Sequence, residues 1–175
     1  GEVQKDLEAA EELKKDAKEN AEHTMLVDLA RNDLSICGKN TTVTKLKEVQ
    51  FFFHFFHSVS EVTAAVEDKQ NPYEMIATTF PQGTLSGAPK YKAMELIDSY
   101  EKTSRSFYGG CIGFVGFDGS CNQALMIRTF LSKNNTLYYQ AGAGIVAKSS
   151  AENELQEVNN KLNALKMAVK KAASL

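Results

Sequence analysis

The segment from Phe80 to Lys90, Phe-Pro-Gln-Gly-Thr-Leu-Ser-Gly-Ala-Pro-Lys, constrains the fold more than any other stretch of this chain. Gly83 and Gly87 permit backbone turns and close approaches that a Cβ would obstruct, and Pro89 suits the first position of a helix predicted over 91–101. A polar loop that leads into a helix N-terminus can bind an anion, because free N–H groups and the positive end of the helix dipole meet there. An ordinary strand-to-helix loop is the alternative.

The composition predicts a folded protein of about one domain. The chain has 175 residues, of which 43% are hydrophobic and 24% charged, so a packed core is expected. A net charge of −2 without a basic stripe argues against nucleic acid as a partner. No apolar run approaches the roughly 20 residues that span a bilayer, and no signal segment is recognised. Three scattered cysteines suit a reducing cytoplasm rather than a disulfide framework or a zinc site.

Periodicity places helices near both ends and antiparallel strands between them. The first helix is predicted over 1–30 and the last over 151–173, with Leu155, Val158, Leu162, Leu165 and Val169 facing the core. An Asn-Pro pair at 71–72 predicts a short helix that ends before Phe80. Strands are predicted over 41–46, 49–66, 108–117, 121–131 and 136–146, with a two-residue turn at 118–119 and another turn at 134–135.

Each terminal helix carries two glutamates three residues apart, Glu19 with Glu22 and Glu154 with Glu157. Residues at this spacing share a helical face, where like charges repel. A solvated face tolerates this repulsion, whereas a cation would relieve it. Ligands that are all oxygen favour a hard ion, Mg²⁺ or Ca²⁺, and a few carboxylates completed by water and substrate oxygens favour Mg²⁺.

Three further groups are candidate binding or catalytic residues. The aromatic run 51–57 contains His54 and His57, which lie on opposite faces if the run is one strand, so they are not expected to share a metal. Either is an ordinary histidine or, facing a cleft, a general acid. Arg128, predicted in the middle of an apolar strand, needs an internal carboxylate or a ligand carboxylate as its partner. The small residues 142–144 leave backbone N–H groups accessible to a ligand, with tight packing as the alternative.

Several separated motifs occur together in one order. They comprise residues 18–23, 25–34, 80–90, 127–129 and 140–146, followed by the helix 152–161. In these motifs the chain resembles the C-terminal half of the chorismate-utilising enzymes, in particular of anthranilate synthase component I. The resemblance implies an α+β fold in which antiparallel strands form part of a two-sheet chorismate-binding core with flanking helices. Residues 1–175 would be the C-terminal portion of that domain, with its N-terminal portion absent.

The resemblance also implies roles for individual residues. Glu22 and Glu157 would bind Mg²⁺, and Glu19 and Glu154 would hold metal-bound water. His57 would lie beside the ring carbon that loses the enolpyruvyl group and act in catalysis together with Thr84. The residues that would hold the substrate's carboxylates and ring are Thr84, Tyr108, Arg128, Gly142, Ala143 and Gly144, with Lys161 at the edge of the same site.

The reaction implied by the resemblance is the Mg²⁺-dependent conversion of chorismate and ammonia to anthranilate and pyruvate, a step of tryptophan biosynthesis. Ammonia would be used free or supplied by a glutamine amidotransferase subunit. Aminodeoxychorismate synthase and isochorismate or salicylate synthases are the alternatives, and Thr84 favours the anthranilate enzyme. A fragment without its N-terminal half could instead be catalytically incomplete and act as a scaffold, and the open edges of its sheet would favour homo-oligomers.

Overall fold

The computed structural model of this chain describes residues 17–52, 55–67 and 70–174. Predictions for residues 1–16 therefore lie outside the described residues. The helices are α1 (Ala17–Cys37), α2 (Pro72–Thr79), α3 (Gly83–Ser86), α4 (Lys90–Tyr100) and α5 (Ala151–Ala172). The strands are β1 (Lys39–Phe52), β2 (Phe55–Ala65), β3 (Cys111–Val115), β4 (Cys121–Leu125), β5 (Leu131–Lys133) and β6 (Thr136–Tyr138). They pair as three two-stranded antiparallel sheets, β1–β2, β3–β4 and β5–β6, and this mixture confirms the α+β class.

The chain divides into two compact units, residues 1–83 with 88–91 and residues 84–87 with 92–175. In the first unit, α1 packs against both strands of the β1–β2 hairpin and against α2. The Asn71 side chain caps α2 by accepting from the Tyr73 N–H at 3.0 Å, and α2 ends at Thr79, which confirms the predicted short helix.

The aromatic run 51–57 is not part of one continuous strand, so the prediction of a single strand over 49–66 is wrong. Strand β1 ends at Phe52 and β2 begins at Phe55, and the two residues pair with each other. Aromatic and β-branched residues favour strand at each position, but they carry no information about where the chain reverses direction. His54 lies outside the described residues, so its predicted face has no structural counterpart here.

In the second unit, two short hairpins precede the last helix. The turn between β3 and β4 has three residues and not the predicted two, because the Gly116 N–H donates to the Ser120 carbonyl at 2.7 Å. Gly119 takes the left-handed φ of 85° that closes such a loop. Asn134 and Asn135 have φ of 52° and 57°, which fits the two-residue turn expected between β5 and β6. Three strands were predicted here and four are present. The predicted strand 121–131 is divided between β4 and the start of β5, and the predicted strands 108–117 and 136–146 are shortened to β3 and β6, which ends at Tyr138.

Helix α5 begins and ends within a residue of its predicted bounds, and its first turn is capped by the Ser150 hydroxyl, which accepts from the Asn153 N–H at 3.3 Å. The residues of α5 that were predicted to face the core are buried only towards the middle of the helix. Leu165 is buried, whereas Leu155 is 62% and Val169 is 41% exposed. Among the described residues the buried hydrophobic side chains are Leu165 and Tyr108, so the packed core expected from the composition is small. No described helix combines the length and the apolar character needed to cross a membrane.

We expect Ser106→Gly to raise the free energy of unfolding by about 0.5–1 kcal/mol. Ser106 has a φ of 51°, and its side chain is exposed. The left-handed conformation costs a residue with a Cβ about 1–2 kcal/mol, which exceeds the extra unfolded-state entropy of glycine. Urea unfolding followed by circular dichroism would measure the change. Ser132→Gly, on strand β5, is the matched control and should be destabilising. Equal effects of the two substitutions would contradict the prediction.

Candidate functional site

Four of the predicted site residues lie next to one another in the second unit. The Lys161 ammonium donates to the Gly142 carbonyl at 2.9 Å and forms an ion pair with Glu157 Oε1 at 2.5 Å. A Cβ placed on Gly142 would lie 3.4 Å from the hydroxyl of Tyr108, so the ring and this backbone are adjacent. A predicted metal ligand and three predicted substrate-binding residues therefore form one continuous set of contacts.

Helix α5 contributes three of the predicted residues. Glu154, Glu157 and Lys161 are spaced at intervals of three and four, which places them along one face of the helix. Glu154 is 5% exposed, and Glu157 and Lys161 are half-buried. The face that carries these charges is thus partly withdrawn from solvent, which the alternative of a fully solvated acidic face does not explain.

Tyr108 is held by the turn that precedes β3. Its N–H donates to the Arg105 carbonyl at 2.8 Å, and the next residue, Gly109, donates to the Met126 carbonyl at 3.0 Å with a φ of 79°. Burial raises the pKa of the Tyr108 phenol above its ordinary value, and the charge of Arg105 and the backbone of Gly142 partly oppose that shift. The phenol is therefore a neutral hydrogen-bonding group near pH 7.

Arg105 is a residue of this site that the sequence analysis missed. Its guanidinium donates to both carboxylate oxygens of Glu101 and, through Nη1, to the Leu85 carbonyl at 2.6 Å. It also lies over the Tyr108 ring, with the guanidinium carbon 5.7 Å from the ring centroid. The sequence does contain an indication, since Glu101 and Arg105 carry opposite charges four residues apart. Both lie beyond the end of α4 at Tyr100, so helical spacing does not account for the pair.

The other predicted substrate-binding residues of the second unit are not part of these contacts as described. Thr84 is exposed on the short helix α3, next to the Leu85 whose carbonyl Arg105 binds. Ala143 is half-buried and Gly144 is exposed, both in irregular backbone after β6.

Arg128 does not lie in the middle of a strand, and that prediction is wrong. Strand β4 ends at Leu125, and the Ile127 N–H donates to the Leu125 carbonyl at 3.0 Å, which turns the chain. Arg128 itself is exposed and has a φ of 52°. The apolar residues on either side suggested a strand, but the left-handed conformation of Arg128 interrupts one. The anionic partner of Arg128 stays a prediction, since an exposed arginine can also bind a carboxylate.

The remaining predicted residues, Glu19, Glu22 and His57, belong to the first unit. Glu19 is exposed and Glu22 is half-buried on α1. The backbone of His57 lies on β2 opposite Gln50, and its side chain is outside the described part of the structure.

Hydrogen bonds that the sequence analysis did not foresee fix α1 to the hairpin. The Nε2 atom of His23 lies 2.6 Å from the Ser60 hydroxyl, which also accepts from the Lys47 N–H at 2.9 Å. The Lys47 ammonium donates to the Asn20 carbonyl at 3.2 Å. Burial, and then the charge of Lys47, lower the pKa of His23. Ser60 lies on β2, three residues from His57. The helix that carries Glu19 and Glu22 is therefore hydrogen-bonded to the strand that carries His57.

The donor chemistry of both glutamate pairs fits a hard divalent cation, because each pair offers only carboxylate oxygens. Within residues 17–52, 55–67 and 70–174, no group of three or more His, Cys, Asp or Glu side chains is positioned to hold a metal ion. Each pair alone supplies two carboxylates, which is the number that Mg²⁺ commonly takes from a protein when water and substrate oxygens complete its shell.

Comparison with known proteins identifies the family. The profile of the chorismate binding enzyme family matches residues 1–167. The chain belongs to this family. Chorismate-binding enzymes similar to it include anthranilate synthase component 1 of Bacillus pumilus, 45% identical over 171 residues, or 97% of this chain and 33% of the relative. The corresponding protein of Neisseria meningitidis serogroup B is 45% identical over 162 residues, or 91% of this chain and 33% of the relative.

A solved structure of the same kind agrees with the fold. The crystal structure of anthranilate synthase component I from Streptococcus pneumoniae TIGR4 superposes with a TM-score of 0.84 at 42% sequence identity, covering 90% of this chain and 37% of that one. The chain thus spans about a third of the length of the curated relatives that it matches.

Proposed function

We propose that the chain is the part of an anthranilate synthase component I that binds chorismate and divalent metal. The supporting observation is the match of the family to residues 1–167, together with relatives named anthranilate synthase component 1 that are 45% identical. The proposed reaction converts chorismate and ammonia to anthranilate, pyruvate and water, as a step of tryptophan biosynthesis.

The contacts in the second unit support a substrate-binding role. Tyr108 supplies a neutral phenol beside the Gly142 backbone, and Lys161 fixes that backbone through its carbonyl. In the proposal these residues hold the ring and a carboxylate of chorismate, together with Thr84, Ala143 and Gly144. Arg128 provides a guanidinium on an exposed segment, where it can bind the second carboxylate bidentately.

The reaction requires nucleophilic addition of ammonia and the loss of two groups, water and pyruvate. Ammonia adds to ring carbon C2 as the C4 hydroxyl leaves as water, and loss of the enolpyruvyl group as pyruvate then gives the aromatic amine. His57 is proposed to donate a proton to a departing group, as general acid. Thr84 is proposed to act in catalysis as well, because it is an exposed residue whose hydroxyl can form a hydrogen bond with a substrate oxygen.

Magnesium is the proposed cofactor, with Glu22 and Glu157 as ligands and Glu19 and Glu154 holding its water. When bound, it supplies a positive charge that withdraws electron density towards the ring carboxylate of the substrate. Glu157 also forms an ion pair with Lys161, so a positive charge already lies beside one of the proposed ligands.

We further propose that activity requires the rest of a full-length family member and that ammonia is used free or delivered by a glutamine amidotransferase. Exposed apolar side chains support the need for more polypeptide. Ile112 is 59% and Phe114 is 63% exposed on a two-stranded sheet. A two-stranded hairpin is marginally stable by itself, and further strands would cover such side chains.

The test is an assay of this chain with chorismate, ammonium and Mg²⁺, with and without the first two thirds of the Bacillus pumilus relative supplied in trans. Anthranilate fluorescence and pyruvate release, both dependent on the two pieces and on Mg²⁺, are the expected result. The supplied piece alone is the control. Formation of aminodeoxychorismate, isochorismate or salicylate would assign the chain to another chorismate enzyme.

Titration calorimetry distinguishes a catalytic role of this chain from a scaffold role. We expect Mg²⁺ and a chorismate analogue to bind the mixed pieces together more tightly than either does alone. No heat of binding at millimolar concentrations of both would contradict the enzymatic proposal and favour a scaffold.

A further inference from the structure

We propose that Arg105 is a positioning residue that holds the segment carrying Thr84 and the ring of Tyr108 in one fixed arrangement for substrate binding. Because Thr84 and Tyr108 are taken as chorismate-binding residues, this role of Arg105 rests on the proposed function. Arg105 itself does not contact substrate in the proposal and acts through its neighbours.

The hydrogen bonds of Arg105 join two separate segments of the second unit. Its Nε donates to Glu101 Oε2 at 2.9 Å and its Nη2 to Glu101 Oε1 at 2.5 Å, while Nη1 donates to the Leu85 carbonyl at 2.6 Å. The planar guanidinium satisfies the carboxylate with one edge and the carbonyl with another, which a lysine ammonium cannot reproduce. Glu101 thus orients Arg105, and Arg105 orients the residue next to Thr84.

A second set of contacts joins Arg105 to Tyr108. The guanidinium carbon lies 5.7 Å from the centre of the Tyr108 ring, within the range of a cation–π interaction. The Arg105 carbonyl also accepts from the Tyr108 N–H at 2.8 Å. A Cβ on Gly109 would lie 3.8 Å from Leu85 Cδ1 and 3.9 Å from Arg105 Nη1, so the three segments are packed side by side.

Glu101 and Arg105 both stay charged near neutral pH, so their ion pair does not depend on pH there. Hydrogen bonding to Arg105 lowers the pKa of Glu101, and hydrogen bonding to Glu101 raises the pKa of Arg105. Both groups are therefore ionised across the physiological range. Arg105 is half-buried and Glu101 is exposed, so the bond from Arg105 to the Leu85 carbonyl is better shielded from competing water than the pair with Glu101.

Arg105→Lys is the substitution that separates positioning from charge. Lysine keeps the positive charge but lacks the planar guanidinium. The segment of Thr84 and the ring of Tyr108 therefore lose the group that contacts both of them. In the chain complemented with the first two thirds of the Bacillus pumilus relative, we expect KM for chorismate to rise by about 10–100-fold, because the residues that hold the ring are displaced. We expect kcat to fall by less, because only Thr84 of the two also has a proposed catalytic role. Glu101→Gln should change KM in the same direction by less, and Glu95→Gln, which disrupts only an exposed ion pair with Lys92 on the same helix, should leave it unchanged.

The ring of Tyr108 gives a readout that does not depend on turnover. In the chain by itself, with ¹³C-labelled tyrosine, the signal missing from Tyr108→Phe belongs to Tyr108. We expect this signal to shift in Arg105→Lys and Glu101→Gln and to stay in place in Glu95→Gln. If Arg105→Lys does not fold, as judged by circular dichroism, Glu101→Gln carries the test.

An unchanged Tyr108 signal or an unchanged KM in an active Arg105→Lys protein would overturn the positioning role. Absence of anthranilate from the unsubstituted complemented protein would instead overturn the proposed function, and the Tyr108 signal would still decide whether Arg105 positions the ring.

Discussion

Replacement of Lys90 by methionine is expected to lower the free energy of unfolding by about 3 kcal/mol. Lys90 Nζ lies 2.6 Å from Asp33 Oδ2, and the two side chains are only 17% and 11% exposed. The same ammonium donates to the Thr79 carbonyl at 3.2 Å. Removal of one member of a largely buried ion pair leaves the other charge without compensation, which costs about 3–5 kcal/mol, and the residual exposure places this pair at the lower end.

The position of each charge in its own helix makes the pair more important. Asp33 lies near the C-terminus of α1 and Lys90 is the first residue of α4, so each charge is at the helix end that disfavours it. Each is stabilised mainly by the other. Loss of Lys90 removes the repulsion between its ammonium and the N-terminus of α4, which is worth at most about 1 kcal/mol. It also leaves the carboxylate of Asp33 buried without its stabilising ion pair.

Urea unfolding followed by circular dichroism would measure this effect. With a slope of about 2 kcal/mol/M, the midpoint should fall by about 1.5 M. The control is Lys92→Met, which removes an exposed ion pair with Glu95 and should cost no more than about 0.5 kcal/mol. The double variant Asp33→Asn with Lys90→Met should recover part of the loss, since it removes both charges. Similar midpoints for Lys90→Met and Lys92→Met would contradict the proposed weight of the buried pair.

This pair also shows where sequence reasoning stops. In the sequence, Asp33 follows the mainly apolar residues 25–30 at the end of the predicted first helix, and elementary electrostatics says that a buried charge there requires a partner. The partner is 57 residues away along the chain, in a loop-to-helix segment whose sequence suggests an anion site rather than an internal ion pair. Spacing within one helix is visible in a sequence, whereas a contact between distant segments depends on the packing of the whole unit.

The same distinction applies to the candidate site. The face of α5 that carries Glu154, Glu157 and Lys161 follows directly from the helical period, and the helix was predicted almost to the residue. Arg128 was placed wrongly because its left-handed backbone is set by the turn after β4, which residue type does not reveal. Arg105 was overlooked because its importance lies in a carbonyl 20 residues away.

Glu157→Gln is expected to reduce the rate of anthranilate formation by the complemented protein at least about 100-fold, the upper end of the loss seen when even an outer partner of a metal site is removed. The substitution keeps the size of the side chain and leaves an oxygen that can accept from Lys161, which the carboxylate now binds at 2.5 Å. It removes only the negative charge. A divalent cation depends on that charge for binding more than on the shape of the side chain. Folding should therefore be retained, and the loss should appear in metal binding.

The matched control is Glu152→Gln, an exposed glutamate in the first turn of the same helix, which should leave both activity and metal binding unchanged. Titration calorimetry with Mg²⁺ on the complemented protein, in the presence of a chorismate analogue, should show at least about tenfold weaker binding for Glu157→Gln. Retention of both the Mg²⁺ affinity and the rate by Glu157→Gln would contradict the proposed role of Glu157 as a metal ligand. Loss of the rate with full Mg²⁺ affinity would instead assign Glu157 to orienting Lys161, which its carboxylate binds and which in turn donates to the Gly142 carbonyl.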